Sequence, residues 1–195
     1  MKLLRKIFAI TRASVVVFGL RLLKALRKIE HCWSQAILSA AKGLTAMQEH
    51  NSSRSDIEQL VHVKHILHNI AASITSGSFK TYGMLQAPCP MKALASIALD
   101  LSDNLVSHAA DVVLKERQRF VLMMRETPLN LAQFRNTVAA TEMGCLICPP
   151  VPVFFTRPAT LDDFVNHSMA RVLDLFALDR ALTLQRWLGL NARAS

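Results

Sequence analysis

The chain has 195 residues, 51% hydrophobic and 19% charged, a length and balance that favour one domain with a sizeable core. Aromatic residues are few while Ala, Leu and Val are many, which suits helices packed on a buried parallel sheet. The net charge of +9 is dispersed without an aromatic–basic repeat, which favours phosphate-bearing ligands over nucleic acid. No apolar run is long enough to span a bilayer.

The amino terminus places basic residues before an apolar run, as a signal peptide does. Arg12 interrupts that run, and no small-residue cleavage site follows Val17, so we expect a cytoplasmic protein without a membrane anchor. Four cysteines in a chain of this length do not indicate a disulfide framework. Cys145 and Cys148 have C-x-x-C spacing without a second ligand pair, so buried thiols are expected there and no metal.

Strand and helix signals alternate along the chain, which is the pattern of a parallel sheet covered by helices on both faces. In chain order we predict a strand over 6–11, a helix over 16–28, a strand over 32–38, helices over 39–49 and 56–70, a strand over 83–87, helices over 91–101 and 109–116, a strand over 119–124, a helix over 129–143, a strand over 146–148 and a helix over 161–176. Thr160 and Asp163 resemble a capping box at the start of the last helix.

The predicted fold is therefore α/β: a three-layer, doubly wound (Rossmann or flavodoxin-like), mostly parallel sheet in a single domain. We assign this domain to residues 1–179 and a C-terminal extension to residues 180–195. In doubly wound folds, ligands bind beyond the carboxyl ends of the strands. The segments that follow the predicted strands are cationic and hydroxylic with one acid, which suits phosphate binding and proton transfer. They are 11–14, Ser39, 88–92, 125–126 and 154–157.

Several long motifs occur in a fixed order. They are Ser-Gly-Ser-Phe at 76–79, Ala-Ala-Asp-Val-Val-Leu-Lys-Glu-Arg at 109–117, Arg-Glu-Thr-Pro-Leu at 125–129, Pro-Pro-Val-Pro at 149–152, Thr-Leu-Asp-Asp at 160–163 and Arg-Val-Leu-Asp at 171–174. This series resembles the flavin prenyltransferases of the UbiX type, formerly labelled aromatic acid or phenylacrylic acid decarboxylases. The similarity extends from about Lys6 to Asp179.

The resemblance implies an enzyme that transfers a dimethylallyl group from dimethylallyl monophosphate to N5 and C6 of FMN. The product, prenylated FMN, is the cofactor of a partner UbiD-type aromatic-acid decarboxylase. The resemblance also implies a homo-oligomer, commonly a dodecamer, with the site between subunits. It implies no metal, no nucleic acid and no membrane partner.

The resemblance also implies roles for individual residues. The catalytic positions are Ser14, Glu49 and Glu126. The FMN-binding positions are Arg12, Ala13, Ser14, Ser39, Pro90, Met91, Lys92, Ala93, His108 and Arg125. The positions at the allylic phosphate are Lys115, Phe155 and Arg171. Lys115 and Arg171 would stabilise the departing phosphate, and Glu126 would relay a proton.

Six positions depart from the family pattern by losing a glycine or a polar group. Arg12 and Val15 replace glycines of the first turn, Pro90 replaces a serine, Ala93 a threonine, His108 an arginine and Phe155 a tyrosine. Glycines in such a turn let the backbone approach a phosphate, and proline lacks an N–H donor. These losses raise an alternative: a catalytically impaired paralogue that binds flavin or serves as an assembly subunit.

Overall fold

A parallel sheet forms the centre of the protein. The computed structural model describes residues 4–10, 16–30, 32–38, 58–178, 182, 184–187 and 189. Within these residues, the strands are β1 (Leu4–Ile10), β2 (Cys32–Leu38), β3 (Val63–Ile66), β4 (Gly83–Cys89), β5 (Arg119–Met124) and β6 (Cys145–Ile147). They pair in the order β3-β2-β1-β4-β5-β6, with every neighbouring pair parallel. The order reverses between β1 and β4, so the predicted doubly wound fold is confirmed.

Helices cover both faces of this sheet. The described helices are α1 (Val16–Leu26), α2 (Met91–Ala98), α3 (Leu105–Lys115), α4 (Leu131–Glu142) and α5 (Leu161–Leu175). Helices α1 and α5 bury Leu23 and Val172 in the core on one face. Helices α2, α3 and α4 bury Leu94, Leu105 and Ala140 in a second core on the other face. The three predicted layers are therefore present, each core lying between the sheet and one helix layer.

Side-chain caps fix where three of the helices, α3, α4 and α5, begin. Thr160 Oγ1 accepts from the Asp163 N–H at 3.1 Å, and Asp163 Oδ2 accepts from the Thr160 N–H at 2.9 Å. The predicted capping box is thus confirmed, and it sets the start of α5 at Leu161. Asn104 caps α3 in the same way, with Ser107 as its reciprocal partner. That cap explains why α3 begins four residues before the predicted start.

The predicted helix over 56–70 is wrong from residue 60 onwards, whereas residues 58 and 59 are helical. Val63–Ile66 forms the edge strand β3, which pairs with Gln35–Leu38 of β2. Its side chains alternate between half-buried and exposed, the period-2 pattern of a strand with one packed face. Pairing with β2 supplies the hydrogen bonds that a helix would have made internally.

Strand β4 is longer than the prediction over 83–87. It continues through Pro88 to Cys89, which pairs with Met124 after an irregularity in register that begins at Gln86. All seven of its residues are buried, as expected for a central strand covered on both faces. The predicted helix over 39–49 lies outside the described residues. No helix within the described ranges is both long and apolar enough to cross a membrane.

Two histidines satisfy the buried polar groups of β2. The backbone N–H of Ser34 donates to Nδ1 of His62 at 3.1 Å, and His65 Nε2 lies 2.8 Å from Oε1 of Gln35. Burial lowers the pKa of both histidines, and the positive charge of Arg27 lowers that of His62 further. Both rings are therefore neutral in the folded protein at neutral pH.

We expect the protein to lose stability as the pH falls below about 6.5, the ordinary pKa of histidine. The unfolded chain binds a proton at each ring near that pH, whereas the folded chain resists doing so until the pH is lower. The stability is therefore complete above the unfolded pKa and declines as the pH falls towards the folded pKa. Thermal melting between pH 7.5 and 5 should show the decline, and a His62→Gln, His65→Gln double variant should show a shallower one. If the melting temperatures of the wild type and the double variant declined equally steeply with pH, the two histidines would not be the cause of the decline.

Candidate active site at the carboxyl ends of the strands

One cavity opens beside the carboxyl end of β4, next to β1. We call it the switch-point cavity, because the strand order reverses here and ligands of doubly wound folds bind at such points. Its volume is about 340 Å³. Its wall includes Pro90, Lys92 and Ala93, three of the predicted FMN-binding positions. Leu67, Ile97 and Val106 make much of the remaining wall apolar.

Helix α2 begins at the mouth of this cavity. Pro90 is its N-cap and supplies no side-chain hydrogen bond, so the first N–H groups of the helix are not capped by a side chain of that residue. Together with the exposed Lys92, this helix start gives the rim of the cavity a positive character. The predicted phosphate affinity thus has a physical basis at the rim, even without the hydroxyl of a serine at position 90.

Gln86 is the unusual member of the cavity wall. Its side chain is 0% exposed, and neither Nε2 nor Oε1 has a hydrogen-bond partner in the described structure. A buried amide without partners costs roughly 1–3 kcal/mol, so such a group is rare in a folded protein. A cavity with apolar walls and one unpaired carboxamide fits a flat ligand with a polar edge, as the flavin ring is.

A second cavity lies on the other face of the sheet, and we call it the arginine cavity. Its volume is about 600 Å³. It contains Phe155 and Arg171, two of the three predicted phosphate positions. The rest of its wall comes from the ends of β5 and β6, from α5 and from the C-terminal segment, with Met123, Cys148, Pro149, Pro150, Val151, Val153, His167, Ser168 and Leu184–Trp187.

Asp174 holds two guanidinium groups at the arginine cavity. Arg171 Nη1 donates to Asp174 Oδ2 at 2.6 Å, and Arg186 Nη2 donates to the other carboxylate oxygen. The hydrogen bond from Arg186 is the largest cause that lowers the pKa of Asp174, and Arg171 lowers it further against the opposing effect of burial. The carboxylate therefore stays ionised, and the three groups keep a net charge of about +1, which suits a phosphate.

The C-terminal segment (residues 182 and 184–187) covers this cavity. The rings of Trp187 and Phe155 lie 5.4 Å apart, and the ring of His167 lies 6.1 Å from that of Phe155. His167 Nε2 also lies 3.4 Å from the carbonyl oxygen of Gln185. Leu182 packs against the core beneath α1 and α5. The segment is thus part of the wall of the candidate site.

Three cysteines of the described core, Cys89, Cys145 and Cys148, are protonated thiols at neutral pH. Burial raises the pKa of Cys89 and of Cys145 to about 12. Burial also raises the pKa of Cys148, although Arg171 acts in the opposite direction. Since the thiolate is the nucleophile, these side chains are structural. Within the described ranges, no group of three or more His, Cys, Asp or Glu side chains could hold a metal ion.

The other predicted site residues in the described ranges do not line either cavity. Arg125 and Glu126 are exposed immediately after the carboxyl end of β5, while Met91 and His108 are half-buried on α2 and α3. Lys115 ends α3, four residues before β5 begins, which places it at the amino edge of the sheet. It forms a 2.7 Å ion pair with Asp111, which raises the pKa of Lys115.

Five of the predicted positions lie outside the described residues: Arg12, Ala13, Ser14, Ser39 and Glu49. Sequence reasoning, for its part, did not identify Gln86, His167, Asp174 or the C-terminal segment. A polar residue inside an otherwise apolar strand was a usable signal for Gln86, whereas nothing in the local pattern pointed to the C-terminal segment.

Comparison with known proteins agrees with the geometry. The flavoprotein family model matches residues 2–174. A flavin prenyltransferase UbiX of Escherichia coli K12 is 44% identical over 186 residues, which are 95% of this chain and 98% of that protein. One from Neisseria meningitidis serogroup B is 45% identical over 175 residues, which are 90% of this chain and 92% of that protein.

Solved structures show the same similarity. A dodecameric FMN-dependent UbiX-like decarboxylase from Escherichia coli O157:H7 has a TM-score of 0.91 and 40% identity, covering 95% of this chain and 100% of that one. AnUbiX (PadA1), in complex with FMN and dimethylallyl pyrophosphate, has a TM-score of 0.91 and 37% identity, covering 96% and 99%. The chain belongs to the flavoprotein family and, within it, to the flavin prenyltransferases of the UbiX type.

Proposed function

We propose that this protein is a flavin prenyltransferase that transfers a dimethylallyl group from dimethylallyl monophosphate to FMN. The prenylated FMN then serves a partner UbiD-type aromatic-acid decarboxylase. The observation that supports this most strongly is the arginine cavity, where Arg171 stands at the wall of a 600 Å³ space in a chain 44% identical to a flavin prenyltransferase.

The switch-point cavity is the proposed position of the flavin. FMN supplies N5 and C6, the atoms that accept the prenyl group. The apolar wall with Pro90 and Ala93 suits the ring, and Lys92 at the rim suits its phosphate. By similarity, the remaining FMN-binding positions are Arg12, Ala13, Ser14, Ser39, Met91, His108 and Arg125.

The arginine cavity is the proposed position of the allylic phosphate. The transfer breaks the bond between the allylic carbon and the phosphate oxygen, and negative charge develops on the departing phosphate. Arg171 neutralises that charge, and its orientation is maintained by Asp174. Glu126 and Glu49 are the proposed proton carriers, with Ser14 as a third catalytic position.

Oligomerisation completes this proposed site. In one chain the two cavities lie on opposite faces of the sheet, and Lys115 lies at the opposite edge from Arg125 and Glu126. An assembly in which the arginine cavity of one subunit faces the switch-point cavity of a second and Lys115 of a neighbouring subunit would bring the allylic phosphate, the flavin and the phosphate-binding positions together. The dodecameric relative supports such an assembly.

A complementation experiment tests whether the site is shared between subunits. We expect Lys115→Met and Arg171→Met each to be inactive alone, and mixed oligomers formed by co-expression to regain part of the activity. Mixed oligomers regain it because some sites receive both intact residues. A mixture of Arg171→Met with Arg171→Gln is the control and should stay inactive. No recovery in the first mixture would contradict a shared site.

The proposed activity is tested with the purified protein, reduced FMN and dimethylallyl monophosphate under anaerobic conditions. Mass spectrometry should detect prenylated FMN, and a reaction without the allylic phosphate is the control. Binding of FMN without formation of this product would contradict the proposed activity and favour the impaired paralogue. No observation on the described residues favours that alternative.

The proposed location is the cytoplasm. The support is the free, buried thiols of Cys89 and Cys145. We also propose that residues 1–179 are the α/β domain and that residues 180–195 are an extension whose described part covers the arginine cavity.

A further inference from the structure

The carboxamide of Gln86 occupies the middle of the sheet. Gln86 lies on β4 in register with Ala9 of β1 and Leu122 of β5. Its side chain shares a sheet face with Met84, two residues earlier, and that face packs against α2 and α3. Both polar atoms of the amide are buried and lack hydrogen-bond partners within the described structure. Without a ligand, the buried amide lowers the stability of the fold, because it has given up its hydrogen bonds to water and gained none in return. An apolar side chain of similar shape would not carry this cost.

The switch-point cavity is the space into which this amide opens. Gln86 is part of its wall together with Pro90, Lys92 and Ala93. The cavity lies between the starts of α2 and α3, at the point where the strand order reverses. A ligand there would therefore meet a donor and an acceptor side by side, on a buried side chain in the wall of a largely apolar cavity.

The chemistry of the amide distinguishes between parts of a flavin nucleotide. A phosphate presents mainly acceptors, so it would pair with Nε2 of Gln86 and leave Oε1 unpaired. The imide edge of the oxidised ring presents the N3–H donor beside carbonyl acceptors, so it satisfies both atoms of the carboxamide at once. The ring atom N5 is an acceptor only in that state, and it must stay open to the incoming prenyl group.

We infer that Gln86 is a flavin-binding residue whose carboxamide hydrogen-bonds the imide edge of the FMN ring. This inference rests on the proposed function, since it requires FMN to enter the switch-point cavity. Gln86 accepts from N3–H through Oε1 and donates to a neighbouring ring carbonyl through Nε2. The stability that the apo protein loses to an unpaired buried amide is recovered when FMN binds.

A Gln86→Met variant tests the inference, because methionine keeps the length of the side chain and removes both hydrogen-bonding atoms. We expect FMN to bind on the order of tenfold more weakly, since two hydrogen bonds are lost. The melting temperature of the apo variant should equal or exceed that of the wild type. The visible absorption bands of the bound flavin should also shift. Met84→Leu is the matched control, because Met84 is equally buried on the same face of β4 but does not line the cavity.

The outcomes separate this inference from the proposed function. If the wild type does not bind FMN, the proposed function fails. If the wild type binds FMN and Gln86→Met binds it equally well, ordered water satisfies the amide and only the inference fails. If Gln86→Met and Gln86→Leu both melt at a clearly lower temperature without FMN, the amide is structural and the inference is wrong.

A modified ligand tests which edge of the ring is held. FMN methylated at N3 lacks the N–H donor, so the wild type should bind it on the order of tenfold more weakly than FMN. Gln86→Met should discriminate much less between the two ligands, because the partner of that donor is already absent. Equal discrimination by the two proteins would overturn the assignment of the imide edge.

Discussion

Replacing Arg171 by methionine is expected to lower the rate of prenyl transfer by about a hundred- to a thousand-fold, the usual loss when a group that stabilises developing negative charge is removed. The guanidinium of Arg171 stands at the wall of the arginine cavity, where the proposed phosphate departs. Methionine keeps the apolar length of the side chain and removes the charge. Single-turnover rates at saturating FMN and dimethylallyl monophosphate measure the effect.

This substitution should leave the fold intact. The side chain of Arg171 is 54% exposed, and its partner Asp174 keeps a second ion pair with Arg186. An exposed ion pair contributes about 0–1 kcal/mol, so the melting temperature should change little. Arg135→Met is the control, because Arg135 is exposed on α4 and lines neither cavity. If Arg171→Met keeps more than about a tenth of the activity, Arg171 does not stabilise the departing phosphate.

Replacing Gly83 by alanine is expected to destabilise the protein by about 3–5 kcal/mol, the sum of backbone strain and overpacking. Gly83 starts β4 with a φ of +139°, a conformation that residues with a side chain rarely adopt. An added Cβ would lie 2.2 Å from the carbonyl oxygen of Arg119 and 2.9 Å from the ring of Phe176. Neither the neighbouring strand nor the end of α5 can move without disturbing the core.

Gly144→Ala is the matched control for this prediction. Gly144 also has a positive φ, +107°, but an added Cβ would meet no atom within 4 Å. This substitution adds only the conformational cost, about 1 kcal/mol. Thermal melting of the two variants at one protein concentration compares the effects. Equal losses of stability would show that the close approach of Arg119 and Phe176 does not matter.

Helix signals in the sequence were most informative where a local interaction decides the structure. The capping box of Thr160 and Asp163 involves residues three apart, and Gly144 ends α4 through its own backbone conformation. Strands β2 and β5 begin and end where the apolar runs predict. Strand β3 was missed because its hydrogen bonds come from β2, about thirty residues earlier in the chain. No pattern within 56–70 carries that information.

The candidate site shows the same difference between what local sequence predicts and what distant contacts decide. Motifs in the sequence indicated the family and the residue types that a phosphate requires, and they named Lys92, Phe155 and Arg171. The faces of the sheet place Lys92 and Arg171 in different cavities, and strand direction places Lys115 at the amino edge.

The sequence by itself determined the order of the described strands and helices apart from β3, the cap of α5 and the membership of the flavin prenyltransferases, because periodicity, capping and contiguous motifs are local properties. Only the tertiary structure decided that Gln86 is a buried amide without a partner, that Asp174 joins Arg171 to Arg186, and that the C-terminal segment covers the arginine cavity. These features depend on which face of the sheet a side chain meets and on contacts between distant segments. Such contacts follow from strand order and packing, which no local window of sequence contains.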